Sequence, residues 1–191
     1  MSERVNRPIS TSELERRWKA IRTAMDEQDI DVLLMQNNND HMGGYTKYFT
    51  DIPATNGYPV TIVFPSDDGM TQINQGPFDM VKNLDMNGSD GVHRGVKTMM
   101  TTPSYACASY TRKYDPILTC KALEPYKHAT IGLVGTYQMS FALVDYIKKQ
   151  FPEANYVEAS DLVDKIKVIK SDEELDLIRG TARQQVATME A

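Results

Sequence analysis

The chain has 191 residues, room for one full domain or for one domain plus part of a second. Its 21 Lys and Arg against 26 Asp and Glu leave a net charge of −5, which argues against a nucleic-acid-binding face. At 41% hydrophobic and 25% charged residues it reads as globular, with no apolar run near the roughly 18 residues of a membrane span and no apolar core in the leading MSERVNRPISTSELERR, so a cytoplasmic protein with no membrane partner is expected.

Two cysteines, Cys107 and Cys120, are too few for a disulfide framework and are expected to stay reduced and structural. There is no CxxC, no HExxH and no Cys/His cluster, so no metal or other cofactor is expected in this chain. His41, His93 and His128 stand far apart with no metal-ligand spacing. Only His41, between Asp40 and Gly43-Gly44, draws suspicion.

In chain order, the first helix runs from Ser12 to about Gln28. Ser12 and Glu15 have the spacing of a capping box, and Leu14, Trp18, Ile21 and Met25 fall on one helical face. Val32 to Met35 is a continuous apolar run, read as a buried strand. Asn37 to Gly44 is loop. Tyr45 to Phe49 is aromatic, and Thr50 to Gly57 is loop again, broken by Pro53 and Asn56-Gly57. Tyr58 to Phe64 and Met70 to Asn74 read as a hairpin around Pro65-Ser66-Asp67-Asp68-Gly69, whose acids are expected at a solvated tip. Met80 to Leu84 is read as helical. Asn87-Gly88 is a turn, and its chance sequon with Ser89 adds nothing. Val92 to Met100 is read as a strand.

Thr101 to Tyr114 carries little pattern. Asp115-Pro116 suggests an N-cap followed by Pro at the first helical position, with a helix to about Leu123. Ile131 to Val134 is a strand. Gly132-Leu133-Val134-Gly135 lacks the spacing of a phosphate loop, and its glycines are read as closing a tight strand-to-helix turn. Phe141 to Phe151 is a helix with Leu143, Val144, Ile147 and Phe151 inward. Asn155 to Glu158 is a short strand, and Ser160 is read as capping a helix to about Val168. Alternating strands and helices after Ile131 imply parallel pairing, whereas the hairpin implies antiparallel pairing. The expected fold is α/β, a mixed β-sheet flanked by helices, over residues 1–165.

The last helix opens with a second capping box, Ser171 with Glu174, and three acids at the positive end of the helix dipole. Leu175, Ile178, Ala182, Val186 and Met189 form one apolar stripe, and the helix meets Ala191 with no Gly, Pro or basic cap. One reading packs this helix back on its own domain. The other gives the stripe to a C-terminal domain beyond the chain, and predicts self-association or fraying of 1–191 on its own.

Three segments resemble a known family. Glu15-Arg16-Arg17-Trp18 through Asp31-Val32-Leu33-Leu34 is one. Tyr45-Thr46-Lys47-Tyr48-Phe49-Thr50 is the second. The third and most specific runs from Leu162-Val163-Asp164-Lys165-Ile166-Lys167 through Ser171-Asp172-Glu173-Glu174-Leu175 to Ile178-Arg179. Together they are similar to the N-terminal domain of the creatinase/prolidase/Xaa-Pro aminopeptidase family. Two departures are Asp51 where the family usually has Gly, and Asp164-Lys165 where it has Arg before the linker.

The resemblance implies a smaller α/β domain followed by a catalytic "pita-bread" domain. Residues 1–165 then form the N-terminal domain, and 166–191 form the linker and first helix of the catalytic one. In the peptidases two divalent metal ions (Mn, Co or Zn) are held there by two Asp, one His and two Glu, none of them in this chain. The fragment is therefore expected to be non-catalytic, with its own C-terminal domain and a homodimer mate as partners. It would support oligomerisation and shape the active-site entrance. Of the loop from Thr50 to Tyr58, the residues expected nearest substrate are Asp51, Asn56 and Tyr58, with Asp51 as a partner for an ammonium or guanidinium group. The plainer alternative is that Asp51 caps a turn and Tyr58 opens a strand. Two other functions stay open: a creatinase-like amidinohydrolase or lyase acting on a small zwitterion, and a non-enzymatic protein-binding module. A −5 net charge and no acidic run give little support to a basic partner such as a histone.

Overall fold

The structure is a computed structural model and describes residues 8–37, 44–53, 58–105 and 108–191. The elements are α1 (Thr11–Asp26), β1 (Val32–Asn37), α2 (Tyr45–Thr50), β2 (Val60–Pro65), β3 (Met70–Gln75), β4 (Met80–Asn83), β5 (Val96–Thr102), α3 (Tyr114–Leu123), β6 (Thr130–Val134), α4 (Phe141–Gln150), β7 (Asn155–Glu158), α5 (Ser160–Lys167) and α6 (Asp172–Glu190). The strands form one sheet in the order β4-β5-β3-β2-β1-β6-β7. The β1–β2, β2–β3 and β4–β5 pairs are antiparallel. The β1–β6, β6–β7 and β3–β5 pairs are parallel. This is the mixed α/β sheet that the sequence implies.

Strand alternation sorts the core into two layers. Leu33, Met35, Ile62 and Phe64 face α1, α2 and α5, packing with Leu14, Ile21, Phe49 and Val163. Val32, Leu34, Val63, Ile131 and Leu133 face α3 and α4, packing with Leu123, Leu143 and Ile147. Because β1 is covered on both faces, all six of its residues are buried, which is why its first four read as an unbroken apolar run. Each fully buried Leu or Ile contributes about 2 kcal/mol through lost water contact.

Trp18 pins α1 to the sheet. Its indole N–H donates to the Phe49 carbonyl at 2.8 Å. Its ring also lies where a Cβ on Gly95 would come within 2.5 Å, and Gly95 holds φ +72°. Close approach and left-handed backbone both demand glycine there.

Several local expectations are corrected. The cap of α1 is Ser10, whose hydroxyl accepts from the Glu13 N–H, rather than Ser12. Met80–Asn83 is an edge strand, not a helix, and Tyr45–Thr50, to which the sequence assigns no element, is a short helix. Asp115 lies inside α3 and Lys113 caps it. Ser160 is the first residue of α5, and its hydroxyl accepts the Gly135 N–H at 2.8 Å. The Ser171–Glu174 capping box is present in full.

Candidate functional site

α2 has six residues and is bracketed by left-handed backbone, Gly44 at φ 58° and Asp51 at φ 60°. A glycine would adopt the Asp51 conformation without strain, whereas an L side chain resists it. Asp51 is held there by its own partners. Its Oδ2 accepts the Ile9 N–H at 2.9 Å and a guanidinium N–H of Arg94 at 2.8 Å. Arg94 also donates to the Ile9 carbonyl. Asp51 thus ties the end of α2 to the lead-in of α1 and to the segment before β5, and the guanidinium it meets is the chain's own.

Beside it lies a buried charge network that joins α1 to α6. Arg17, 4% exposed, donates Nε to Glu13 at 2.9 Å, Nη1 to the Tyr48 carbonyl at 3.1 Å and Nη2 to Glu174 at 2.8 Å. Its guanidinium also sits 4.4 Å from the Tyr48 ring centre. Glu13 takes a further bidentate pair from Arg16, and that hydrogen bond leads the effects that lower the Glu13 pKa. Glu173 closes the corner by accepting both the backbone N–H and the hydroxyl of Ser10 at 2.6 Å. The first turn of α6 is therefore bolted onto the first turn of α1.

Between this corner, α2 and α6 opens a groove of about 810 Å³. Its two carboxylates, Asp51 and Glu174, are already paired with Arg94 and Arg17. Its cations include Lys47 and Arg183, which make no ion pair among the described residues, and Lys167, which lies 4.7 Å over the Tyr45 ring. Burial lowers the Lys167 pKa. The apolar part of the wall comes from Ile9, Leu177 and Ile178. The groove therefore offers positive charge beside an apolar strip.

Tyr58 is not in this groove. It stacks edge-on against Tyr105, ring centres 5.7 Å apart, and Tyr105 lines a second cavity of about 410 Å³ with Gln36, Asp115, Gln138 and Phe141. The structure thus separates Asp51 from Tyr58. Asn56, His41 and Cys107 lie outside the described residues. His93 pairs with Asp90 at 2.6 Å and His128 with Glu153 at 2.9 Å. The Cys120 thiol is half-buried, and burial pushes its pKa up to about 11, away from nucleophilic use. Among the described residues no group of three or more His, Cys, Asp or Glu could hold a metal ion, and no helix is long and apolar enough to cross a membrane.

Sequence reasoning named Asp51 but missed Arg17, Glu173 and Asp115. For Arg17 a signal existed: with Glu13 it lies four residues apart beside Leu14 and Trp18, so two charges intrude on the apolar side of α1. The partner Glu174 lies 157 positions away and left no local trace.

No protein-family model and no curated protein matches the sequence. Solved structures do. An Xaa-Pro dipeptidase from Bacillus anthracis superposes with a TM-score of 0.57 at 16% identity, over 85% of this chain and 38% of that one. An Xaa-Pro aminopeptidase (aminopeptidase P) from Streptococcus thermophilus gives 0.53 at 16% identity, over 81% of this chain and 98% of that one. The N-terminal domain of the FACT complex subunit SPT16 from Cicer arietinum gives 0.55 at 11% identity, over 88% and 40%. The chain thus spans well under half the length of the Bacillus and chickpea chains. At these identities the shared property is the fold, and it is the fold of solved Xaa-Pro dipeptidases and aminopeptidases, in agreement with the resemblance to the N-terminal domain of the creatinase/prolidase/Xaa-Pro aminopeptidase family.

Proposed function

We propose that this chain is the non-catalytic N-terminal domain of a cytoplasmic Xaa-Pro peptidase, packed against its own C-terminal catalytic domain. One observation carries the reading. The first turn of α6 is bolted to the body, while Ile178 and Val186 are half-exposed and Met189 is 88% exposed, an apolar stripe that asks for a partner surface. The fold shared with much longer Xaa-Pro peptidases supplies the kind of partner. On this reading residues 1–165 are the N-terminal domain and 166–191 the linker and first catalytic-domain helix. Two divalent ions, Mn, Co or Zn, would sit in that second domain. The N-terminal domain supports a homodimer and shapes the entrance to the active site, with Asp51, Asn56 or Tyr58 as the candidate nearest substrate.

The test is hydrolysis of Xaa-Pro dipeptides and tripeptides, with and without Mn²⁺ or Co²⁺, by residues 1–191 and by the polypeptide of the full reading frame. Metal-dependent cleavage by the longer form alone is expected. A folded longer form that cleaves nothing overturns the peptidase reading. It would favour the second one, a protein-binding module, to which the likeness to the FACT subunit domain lends weight.

A further inference from the structure

Charge is unevenly placed around the groove between α2 and α6. The chain carries −5 overall, yet among the described residues five cations line this groove, Arg17, Lys47, Lys167, Lys170 and Arg183, against two acids, Asp51 and Glu174. Both acids are already engaged within the fold, Asp51 with Arg94 and Glu174 with Arg17, each at 2.8 Å. Two more carboxylates, on the adjoining α5 and α6, stay outside the lining. Asp164 accepts the Tyr45 hydroxyl at 3.0 Å and offsets part of the charge at Lys167, and Glu173 accepts from Ser10. A positive excess remains.

The excess comes from three sides. Lys47 stands on α2, Lys167 and Lys170 at the junction of α5 and α6, and Arg183 on α6. Like charges round one concavity repel one another, and low-dielectric walls focus their field into it. Burial lowers the Lys167 pKa, since its ammonium has given up water for the Tyr45 ring 4.7 Å away. The wall also holds an unmet donor. Tyr48 is 6% exposed and lines the groove, and its hydroxyl is buried without a hydrogen-bond partner. A buried polar group left unpaired is costly, and a hydroxyl among ammonium and guanidinium groups calls for an acceptor. The volume of about 810 Å³ lies within the roughly 300–1,000 Å³ of small-ligand pockets.

We infer that this groove binds a small polyanion, a molecule with two or more phosphate or carboxylate groups, held by Lys47, Lys167, Lys170 and Arg183 with the Tyr48 hydroxyl as a further donor. More than one anionic group follows from the spread of the cations over three elements. The site does not depend on the peptidase reading, and its test involves no hydrolysis.

The probes are tripolyphosphate, citrate and the polycation spermidine. The 191-residue chain is titrated with each and followed through its amide resonances by NMR. Saturable shifts at Lys47, Tyr48, Lys167 and Arg183 are expected from a polyanion and not from spermidine, and the tighter of the two polyanions identifies the oxyanion. Lys47→Gln combined with Arg183→Gln should weaken that polyanion by about tenfold or more, the loss of two charge-assisted contacts. Tyr48→Phe, which alters no charge, should weaken it by a smaller factor and keeps the test open if the double variant misfolds. Lys148→Gln removes an exposed charge from α4, on the other face of the sheet, and should leave the affinity unchanged. No saturation with either polyanion, equal shifts from spermidine, unchanged affinity in both groove variants, or a loss in Lys148→Gln as large as in the double variant would overturn the inference.

Discussion

Arg17 holds three acceptors and one aromatic face from an almost dry position, and its two carboxylate partners are equally buried. Removing one member of such a network leaves the others charged and unpaired. Arg17→Met should therefore cost about 3–5 kcal/mol in urea unfolding at neutral pH. A loss under about 1 kcal/mol, the range of exposed pairs, would show the network to be solvated. Asp51 poses a finer question, since its left-handed backbone is unfavourable while its Arg94 pair is favourable. Asp51→Ala loses the pair and keeps the strain, whereas Asp51→Gly loses the pair and relieves it. The glycine variant should be the more stable of the two by about 1 kcal/mol. Equal stabilities would mean that the backbone carries no strain. For Asp115 the pH dependence has a definite sign. Its folded pKa of about 6 exceeds the ordinary 3.8, so the folded chain holds the extra proton between those values and loses stability as pH rises through them. The stability advantage of Asp115→Asn over the parent should grow by about 2–3 kcal/mol from pH 4 to pH 7 and then level off. Unfolding at stepped pH measures it, and a flat difference would place the carboxylate in water.

At the scale of elements, α6 divides into two parts. Its first turn is clasped by Ser10 and Arg17 and its second rests Leu177 on the core, whereas every residue from Thr181 onward is exposed. A helix without tertiary support is marginal in water. Amide exchange beyond Thr181 should therefore be orders of magnitude faster than on the buried face of α1, and comparable protection would mean that the far half is covered. The elements that could be read from sequence are those with a period or a sharp punctuation mark. These are α1 with its four-residue stripe, β1 and β6 as apolar runs, β2–β3 around an acidic Gly turn, and α4 stopped before Pro152. Those that misled lack such marks. In α2 five of six residues are buried, so no polar face betrays the helix. β4 is exposed at all four positions and exists because β5 offers it a ladder, a long-range cause invisible in Met80-Val81-Lys82-Asn83. The cap of α1 fell between two boxes of equal spacing, Ser10 with Glu13 and Ser12 with Glu15. Tertiary contact chose the first, because Ser10 also binds Glu173.

For the molecule as a whole, the antiparallel hairpin and the parallel tail of the sheet follow from the order of elements. The parallel β3–β5 pair does not, since nothing local announces that β5 inserts between β3 and β4. The site is legible to the same degree. Asp51 came from a resemblance, while the corner that surrounds it is assembled from residues near both ends of the chain. The exposed stripe on α6 gives 1–191 a sticky face. Static light scattering should show an average mass that rises with concentration, and Ile178→Glu with Val186→Glu should abolish the rise. A constant monomer mass for the unaltered chain would mean that the stripe is too weak to pair.

The clasp between Ser10, Arg17, Glu173 and Glu174 also has a mechanical side. α6 has 19 residues and reaches about 28 Å from its first turn to its last. It is held at one end, so it acts as a lever whose fulcrum is four side chains. A turn of about 10° at the fulcrum carries the far end through about 5 Å, roughly one helical pitch. Small changes in the length or angle of the two carboxylate contacts are therefore magnified into the direction of the whole helix. Whatever surface the stripe meets is aimed from a corner on the opposite end of the rod.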